Sequence, residues 1–368
     1  MNERYHQDRR RKTDGSKKPE IAVVIPVYNG GMPFHRCLKS VINADPSPAA
    51  VVVVADGDTD GSRVVAEQFG ARVMTHIEPG GPAVARNAGT RAVRKDDIIF
   101  FVDADVAIKS GTVGEMAAVF KGDPTVGAVI GSYDDAPTAM NFHSQFKNLF
   151  HHYVHQTARE DASTFWGACG AVKHEVFRAI GGFDERYRHP SIEDIELGYR
   201  LKRAGYRIRL SKHIQVTHMK QWRLWSMLKA DVLYRALPWT ELIHRDRQLI
   251  NDLNLSYSGR LSGLLVPGVL FTVFAGVWMP QLLGVAGGLT LVLLGLNASV
   301  YRFFHRKRGL MFTLRVIPWH WLYFLYSGLA FAIGTARYFA SRSSRPVVKS
   351  AHRQDGRDKT PPSTEVRV

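Results

Sequence analysis

The sequence predicts an α/β domain built on a mostly parallel sheet, followed by helices apolar enough to cross a membrane. Three observations predict it. Short β-branched apolar runs alternate with helical stretches over the first hundred residues, the pattern of a doubly wound sheet. Each run is continuous rather than alternating, as in strands buried on both faces. Residues 261–301 are 41 consecutive residues without a charge, where one membrane helix needs roughly 20.

The elements follow in order. Ile21 to Val27 is the first strand, closed by a turn at Asn29-Gly30-Gly31, and a helix runs through Leu38 and Val41. Val51 to Ala55 is the second strand, ending in Asp56-Gly57. Residues 62–69 read as helix, Ala71 to Thr75 as strand, and Pro82 to Val93 as a helix with proline in its first turn, where its missing N–H has no partner to lose. Ile98 to Val102 is a further buried strand. No GxGxxG follows the first strand, which argues against a dinucleotide site. Ser191 and Asp194 have capping-box spacing and open a helix that ends near Gly205.

Charge narrows the partners. The net charge is +16, and its location matters. Residues 1–18 carry seven Lys/Arg against three acids, and residues 337–368 carry eight against three. Arg302, Arg306, Lys307 and Arg308 form a third cluster beside the apolar segments. Basic tails flanking apolar helices suit anionic lipid head groups. A nucleic-acid binder would carry a basic face interleaved with aromatics on its folded domain, so no nucleic-acid partner is expected. Two cysteines, Cys37 and Cys169, leave no disulfide framework and imply a reducing compartment. Residues 1–19 are polar and basic without an apolar secretion core. They are expected to be a disordered tail, as are residues 341–368.

The C-terminal region, 261–340, reads as two to three membrane helices. The first two meet at Pro280-Gln281, and a second window from Val316 to Ala336 is uncharged apart from His320. Trp319, Trp321, Tyr323 and Tyr326 mark its start as interfacial. A two-span hairpin returns the basic cluster at 302–308 to the side of the α/β domain, as the positive-inside rule requires. A third full span would carry the basic tail to the opposite side, so the last segment is either re-entrant or interfacial, or an exception to the rule. Residues 221–260, with Trp222, Trp225, Leu228, Leu233, Leu237 and Trp239, read as interfacial amphipathic helix and linker.

Four pieces of residues 20–220 carry chemistry. Asp103-Ala104-Asp105 follows a strand; if the strand continues through them, both carboxylates face one side. They could then meet a hard divalent cation at the carboxyl edge of the sheet, where open α/β folds bind ligands. A solvated acidic turn would read the same. Asp56-Gly57 ends another strand and offers a carboxylate to a base or ribose, although a plain Asp-Gly turn is equally compatible. Gly80-Gly81 leads into a helix start whose amide groups can face an anion, with Arg86 and Asn87 on the first turns. Glu193-Asp194 opens a helix, and the N-terminus favours an ionised carboxylate, making Asp194 a weak base at rest. His151, His152 and His155 have no carboxylate at helical spacing and read as surface histidines.

Pro26-Val27-Tyr28-Asn29, Asp56-Gly57, the Gly80 to Gly89 segment, Asp103-Ala104-Asp105, Gly181-Gly182-Phe183-Asp184-Glu185 and Glu193-Asp194 occur in the order and spacing of family 2 glycosyltransferases. On these six motifs residues 20–225 resemble that family. The resemblance implies a GT-A fold, inversion at the anomeric carbon, and Mg²⁺ or Mn²⁺ as cofactor. It implies donor contacts from Pro26, Tyr28, Asn29, Asp56, Arg86 and Asp103, metal contacts from Asp103 and Asp105, and Asp194 as base. His218 would complete the metal shell, as a histidine does in some GT-A enzymes. The acceptor side would be shaped by Trp166 and Gly167 of Phe165-Trp166-Gly167-Ala168-Cys169-Gly170, with Glu193 and Trp222.

Two departures qualify the resemblance. Ala55-Asp56 stands where many relatives carry two acids. His218-Met219-Lys220-Gln221-Trp222 keeps only the tryptophan of the Gln-x-x-Arg-Trp motif of processive members. The implied partners are a nucleotide-sugar donor, a lipid or cell-envelope glycan acceptor and a membrane. The implied place is the bacterial inner membrane, multi-pass, with the catalytic domain cytosolic. A nucleotidyltransferase is the alternative, although a glycine-rich, lysine-bearing phosphate loop is missing. A non-catalytic membrane scaffold retaining the fold is the other.

Overall fold

The computed structural model describes residues 20–95, 97–247 and 256–343. The expected basic tails lie outside these residues, apart from the stretch 341–343, and so does part of the 221–260 linker.

Nine strands form one sheet. β1 (Ile21–Val27), β2 (Ala50–Asp56), β3 (Arg72–His76) and β4 (Ile98–Val102) run parallel in the order β3-β2-β1-β4. The expected strands and helices up to residue 102 are all present, within a residue or so except for a helix that stops at Thr90 rather than Val93. β1 and β4 are neighbours although the chain visits β2 and β3 between them, so their carboxyl ends flank a topological switch point, the usual ligand crevice of such sheets. The sheet continues through β8 (Cys169–Lys173), β6 (Val126–Tyr133) and β9 (Arg207–His218) to the short β5 (Val106–Ala107), with β7 (Asp161–Ala162) also on β9. β8 runs antiparallel to both neighbours.

The continuous apolar runs are explained by burial on both faces. Val23 and Ile25 pack against α1 (Gly31–Ile42), while Ala22 and Val24 face the opposite layer. Within α1, Phe34, Cys37, Leu38 and Val41 are buried at spacings of three and four, the stripe a surface helix needs. α3 (Pro82–Thr90) packs so closely on the sheet that a Cβ at Gly89 would lie 2.5 Å from Val24. At its start Gly81 has φ +92°, and a Cβ there would lie 2.1 Å from the Arg188 carbonyl. Both positions exclude a side chain.

α5 (Phe142–Thr157) and α7 (Glu193–Arg203) flank the far half of the sheet. After β9 come α8 (Leu224–Lys229), a π-helical stretch (Ala230–Ala236) and α9 (Leu237–Asp246). Trp239, Leu242 and Ile243 pack on Ile192 and Tyr199 of the α/β domain, while Trp225 remains 78% exposed.

The C-terminal helices are α10 (Tyr257–Ala275), α11 (Gln281–Leu296) and α12 (Ala298–Ser343). Among the described residues, α10 and α12 are long and apolar enough to cross a membrane. α10 and α11 form a hairpin whose outer faces expose Leu264, Leu270, Phe271, Leu283 and Leu291. α12 breaks at Gly309, where φ is +79°. Just before the break, Lys307 pairs with Asp135, and Arg308 reaches Gln145 Oε1 at 2.7 Å. Beyond it the helix follows first the α/β domain and then the helices after β9: Phe312 and Trp319 meet Phe142, Tyr326 donates to Asp231, Thr335 meets His244, and Tyr338 donates to the His244 carbonyl.

Candidate active site

The site grows from the carboxyl ends of β1, β2 and β4. The loops after β1 and β2 are clipped together. Asn29, in the left-handed region at φ 49°, accepts from Thr59 N at 2.9 Å, and Asp60 accepts from Gly31 N at 2.9 Å. Pro26 closes β1 below this clip, and Tyr28 stands 60% exposed above it. Asp56 is buried, and its carboxylate receives His76 Nδ1 at 2.7 Å, Gly80 N at 2.9 Å and Gly81 N at 2.7 Å. The amide groups of Gly80 and Gly81, which could have faced a ligand anion, face Asp56. Of roughly four acceptor positions on a carboxylate, three are already used.

Asp103 and Asp105 do not continue the strand, so the condition under which their carboxylates would share one side is not met. β4 stops at Val102 and the chain turns, with Val106 N donating to the Asp103 carbonyl at 3.0 Å. The two carboxylates take different partners. Asp103 accepts from Arg86 Nη2 at 2.7 Å, while Asp105 lies 3.6 Å from His218 Nε2. The strand register explains the second pairing, because β5 pairs Val106 with His218 and brings residues far apart in sequence side by side.

Arg86 is the buried hub. Its other nitrogen, Nη1, donates to Glu193 Oε1 at 2.8 Å, and its guanidinium sits 5.3 Å from the Phe183 ring. Through these contacts Arg86 ties the end of β4 to the start of α7. Glu193, expected on the acceptor side, is turned inward: its second oxygen accepts from Ser191 N at 2.9 Å. Ser191 does not cap α7 either, since its hydroxyl donates to the Tyr234 carbonyl. Asn87 accepts from Phe183 N and donates to Phe183 O, each at 2.9 Å, and so docks the Gly181–Glu185 loop on α3.

Asp194 and Gly167 are brought together. Asp194 Oδ2 accepts from Gly167 N at 3.1 Å and Oδ1 from Ile195 N at 2.8 Å. Burial, then the neighbouring Glu193 carboxylate, push Asp194 up to about 6 against the opposing Gly167 amide and Arg86. The helix N-terminus was expected to keep it a weak base. Desolvation wins instead, leaving a carboxylate that is ionised at neutral pH yet far more basic than a surface aspartate.

The cation question turns on Asp105 and His218. His218 is buried, stacks on Tyr133 with centroids 4.3 Å apart, and is fixed through Nδ1 to Asn148 Oδ1 at 2.5 Å. With Nδ1 donating, Nε2 faces Asp105; it donates to the carboxylate when protonated and, when neutral, would offer its lone pair to a cation held between them. Burial opposes ionisation of Asp105, but protonated His218 and Lys220 hold it down at about 2. Among the described residues no group of three or more His, Cys, Asp or Glu could hold a metal. Asp105 and His218 could supply only part of a cation's shell, the situation of Mg²⁺ beside phosphate oxygens.

Trp166 and Gly167, expected on the acceptor side, lie beside a ring of aromatics. Trp166 packs edge-on to Tyr133 at 4.7 Å and against His151 and His155 at 4.9 and 5.1 Å. His152 and His155 are buried, with Nδ1 of each on the carbonyls of Tyr133 and Gly131. The expectation of surface histidines fails because this face of α5 lies against β6. Trp222 is held by Ser144 and Asn141 and lies 4.7 Å under Lys220. Sequence reading missed Tyr133, Asn148 and His76; no local motif marks them.

Residues 22–181 match the sequence model of glycosyl transferase family 2, and 148–223 match that described as the N-terminal domain of galactosyltransferase. Over residues 22–181 the chain is similar to glycosyltransferase family 2. It is 29% identical to the pre-mycofactocin glycosyltransferase of Mycobacterium tuberculosis over 232 residues, covering 60% of this chain and 47% of that one. It is 27% identical to the N-acetylglucosaminyl-diphospho-decaprenol L-rhamnosyltransferase of the same organism, covering 54% and 76%. The chain therefore spans about half the length of the first of these relatives. A solved structure of the mannosyltransferase PcManGT from Pyrobaculum calidifontis, in complex with GDP-Man and Mn²⁺, aligns over 89% of each chain at 17% identity and TM-score 0.49.

Proposed function

We propose that this chain moves a sugar from a nucleotide-sugar donor to a hydroxyl on a lipid or cell-envelope glycan, with inversion, at a membrane surface. The observation that carries the reading is the Arg86 bridge, which holds Asp103 and the Asp194-bearing start of α7 at one crevice. Asp194 accepts the acceptor hydroxyl proton as that oxygen attacks the anomeric carbon, and the Gly167 amide keeps its carboxylate aimed. Pro26, Tyr28, Asn29 and Asp56 form the donor wall, with Asp103 positioned by Arg86. Asp105 and His218, with Asp103 near by, hold Mg²⁺ or Mn²⁺. When bound, the cation supplies charge neutralisation for the departing nucleoside diphosphate. Trp166, Gly167 and Trp222 line the acceptor side, while Glu193 acts by holding Arg86.

The membrane reading rests on the apolar faces of α10 and α11, which water would not tolerate over so continuous an area. α12 beyond Gly309 favours lying in the membrane plane. Its contacts with the α/β domain and with the helices after β9 run from Phe312 to Tyr338, about 40 Å at 1.5 Å per residue. An upright helix would drag those elements through a hydrocarbon core of about 30 Å. Its other face exposes Met311, Leu314, Leu322, Leu329 and Ile333. Both native cysteines are buried, so a Ser341→Cys protein can be labelled cleanly with an impermeant maleimide. Labelling from the catalytic side is expected; labelling only from the opposite side would restore a third span.

Transfer itself is tested by incubating membranes containing the protein with radiolabelled nucleotide-sugars and Mn²⁺, then counting organic and aqueous phases. Label entering the organic phase from one donor supports a lipid acceptor; label in aqueous glycan supports the envelope acceptor; no transfer from any donor contradicts the reading.

A further inference from the structure

α5 has two faces with different duties. Asn148, His151, His152 and His155 point toward β6, Trp166 and His218. At 100° per residue, Phe150, Tyr153, Val154 and Thr157 fall on the opposite side. Behind that second face lies a cavity of about 270 Å³, closed by the start of α10, the α11–α12 junction and the middle of α12. The size suits a head group rather than a whole lipid or a nucleotide-sugar.

His320 lines this cavity. It is 1% exposed, and neither ring nitrogen has a hydrogen-bond partner among the described residues. Its ring packs between Phe324 and Phe150, at 4.4 and 5.0 Å. A phenylalanine would fill that slot without burying an orphan donor and acceptor, so the imidazole marks a place where something polar is received. At the rim Arg159 is exposed and has no ion pair among the described residues, and Ser256 and Ser258 stand opposite. The cavity therefore combines a free cation at its mouth, a hydrogen-bonding group at its base and aromatic walls. If the hairpin of α10 and α11 crosses a membrane, the cavity at its base lies at the level where head groups begin.

We infer that this cavity binds the phosphate and glycerol portion of an anionic phospholipid, phosphate on Arg159 and a glycerol or ester oxygen on His320. The lipid is not the acceptor, because α5 stands between the cavity and Asp194. Its occupation steadies α5, and through Asn148 the orientation of His218, so turnover depends on lipid class. The inference rests on the membrane reading above.

The test uses the full chain purified in detergent, delipidated, and followed by native mass spectrometry and by a transfer assay with a water-soluble acceptor. Added phosphatidylglycerol should be retained at one per chain and should raise turnover, whereas phosphatidylcholine should do neither. Arg159→Ala, on the surface and remote from the crevice, should weaken retention about tenfold, the loss of one charge-assisted contact. His320→Phe should abolish retention and the lipid response while leaving the detergent melting temperature unchanged or higher. A wild-type cavity that retains no lipid holds water only, and the inference is wrong. Equal retention by wild type and both variants overturns it as well. Retention of a polyprenyl phosphate in preference to phosphatidylglycerol would hand the cavity to an acceptor and also overturn it. Release of the protein from membranes by carbonate wash would instead defeat the membrane reading, independently of any lipid count.

Discussion

The carboxyl edge of the sheet and the C-terminal helices break the same rule in opposite directions. At the sheet edge, charged groups are buried: Arg86 and Glu193 are each 4% exposed, and Asp56 likewise. In α10 and α11, large apolar groups are exposed, Leu264 at 75% and Phe271 at 68%. Buried charges persist only when paired and hydrogen-bonded, and here each finds its partner across elements far apart in sequence. Exposed apolar faces persist only when something other than water covers them. The first region is thus internally complete and preorganised, whereas the second is completed from outside. On the proposed function, chemistry belongs to the first and location to the second.

Removing the base should have the largest effect. Asp194→Asn should cut turnover on the order of 10²–10⁴-fold while leaving donor affinity intact, measured by separate binding and rate assays. Normal turnover would take Asp194 out of the role. Next comes the hub: Arg86→Ala strands two carboxylates and should cost about 3–5 kcal/mol of folding stability, read by denaturant unfolding in detergent. A loss below about 1 kcal/mol, the scale of a surface pair, would mean that the bridge is not a buried one. Asn148→Ala should weaken Mn²⁺ binding about 10–100-fold through loss of the His218 orienting bond; unchanged affinity would place the cation elsewhere. The smallest effect is in pH. Asp194 protonates as pH falls through about 6, so kcat/KM should be level above that value and decline below it. A profile that breaks near 4, where a solvated aspartate titrates, would contradict the burial argument.

Much of the fold was legible because it is written in local pattern. Continuous apolar runs gave the buried strands, and Pro82 with the Gly80-Gly81 pair marked the start of α3. The candidate residues were legible as types but not as pairings. Asp103 and Asp105 read as a pair facing one cation, yet the turn after Val102 sends one to Arg86 and the other to His218. Nothing near Arg86 in sequence announces Glu193, and nothing near His218 announces Asn148, because both contacts depend on how β9 and α7 return to the sheet. The histidines of α5 were misplaced for the same reason. Their burial depends on Tyr133 and Trp166, which no helical spacing reveals. The basicity of Asp194 was misjudged because a helix N-terminus is visible in sequence and desolvation is not.

The central claim, glycosyl transfer at the β1–β4 crevice, is tested most directly by identifying what the protein releases from its donor in the presence of acceptor and Mn²⁺. Release of nucleoside diphosphate from a nucleotide-sugar, abolished in Asp194→Asn, is the predicted result. Pyrophosphate from a nucleoside triphosphate, or no product with any donor, would contradict it.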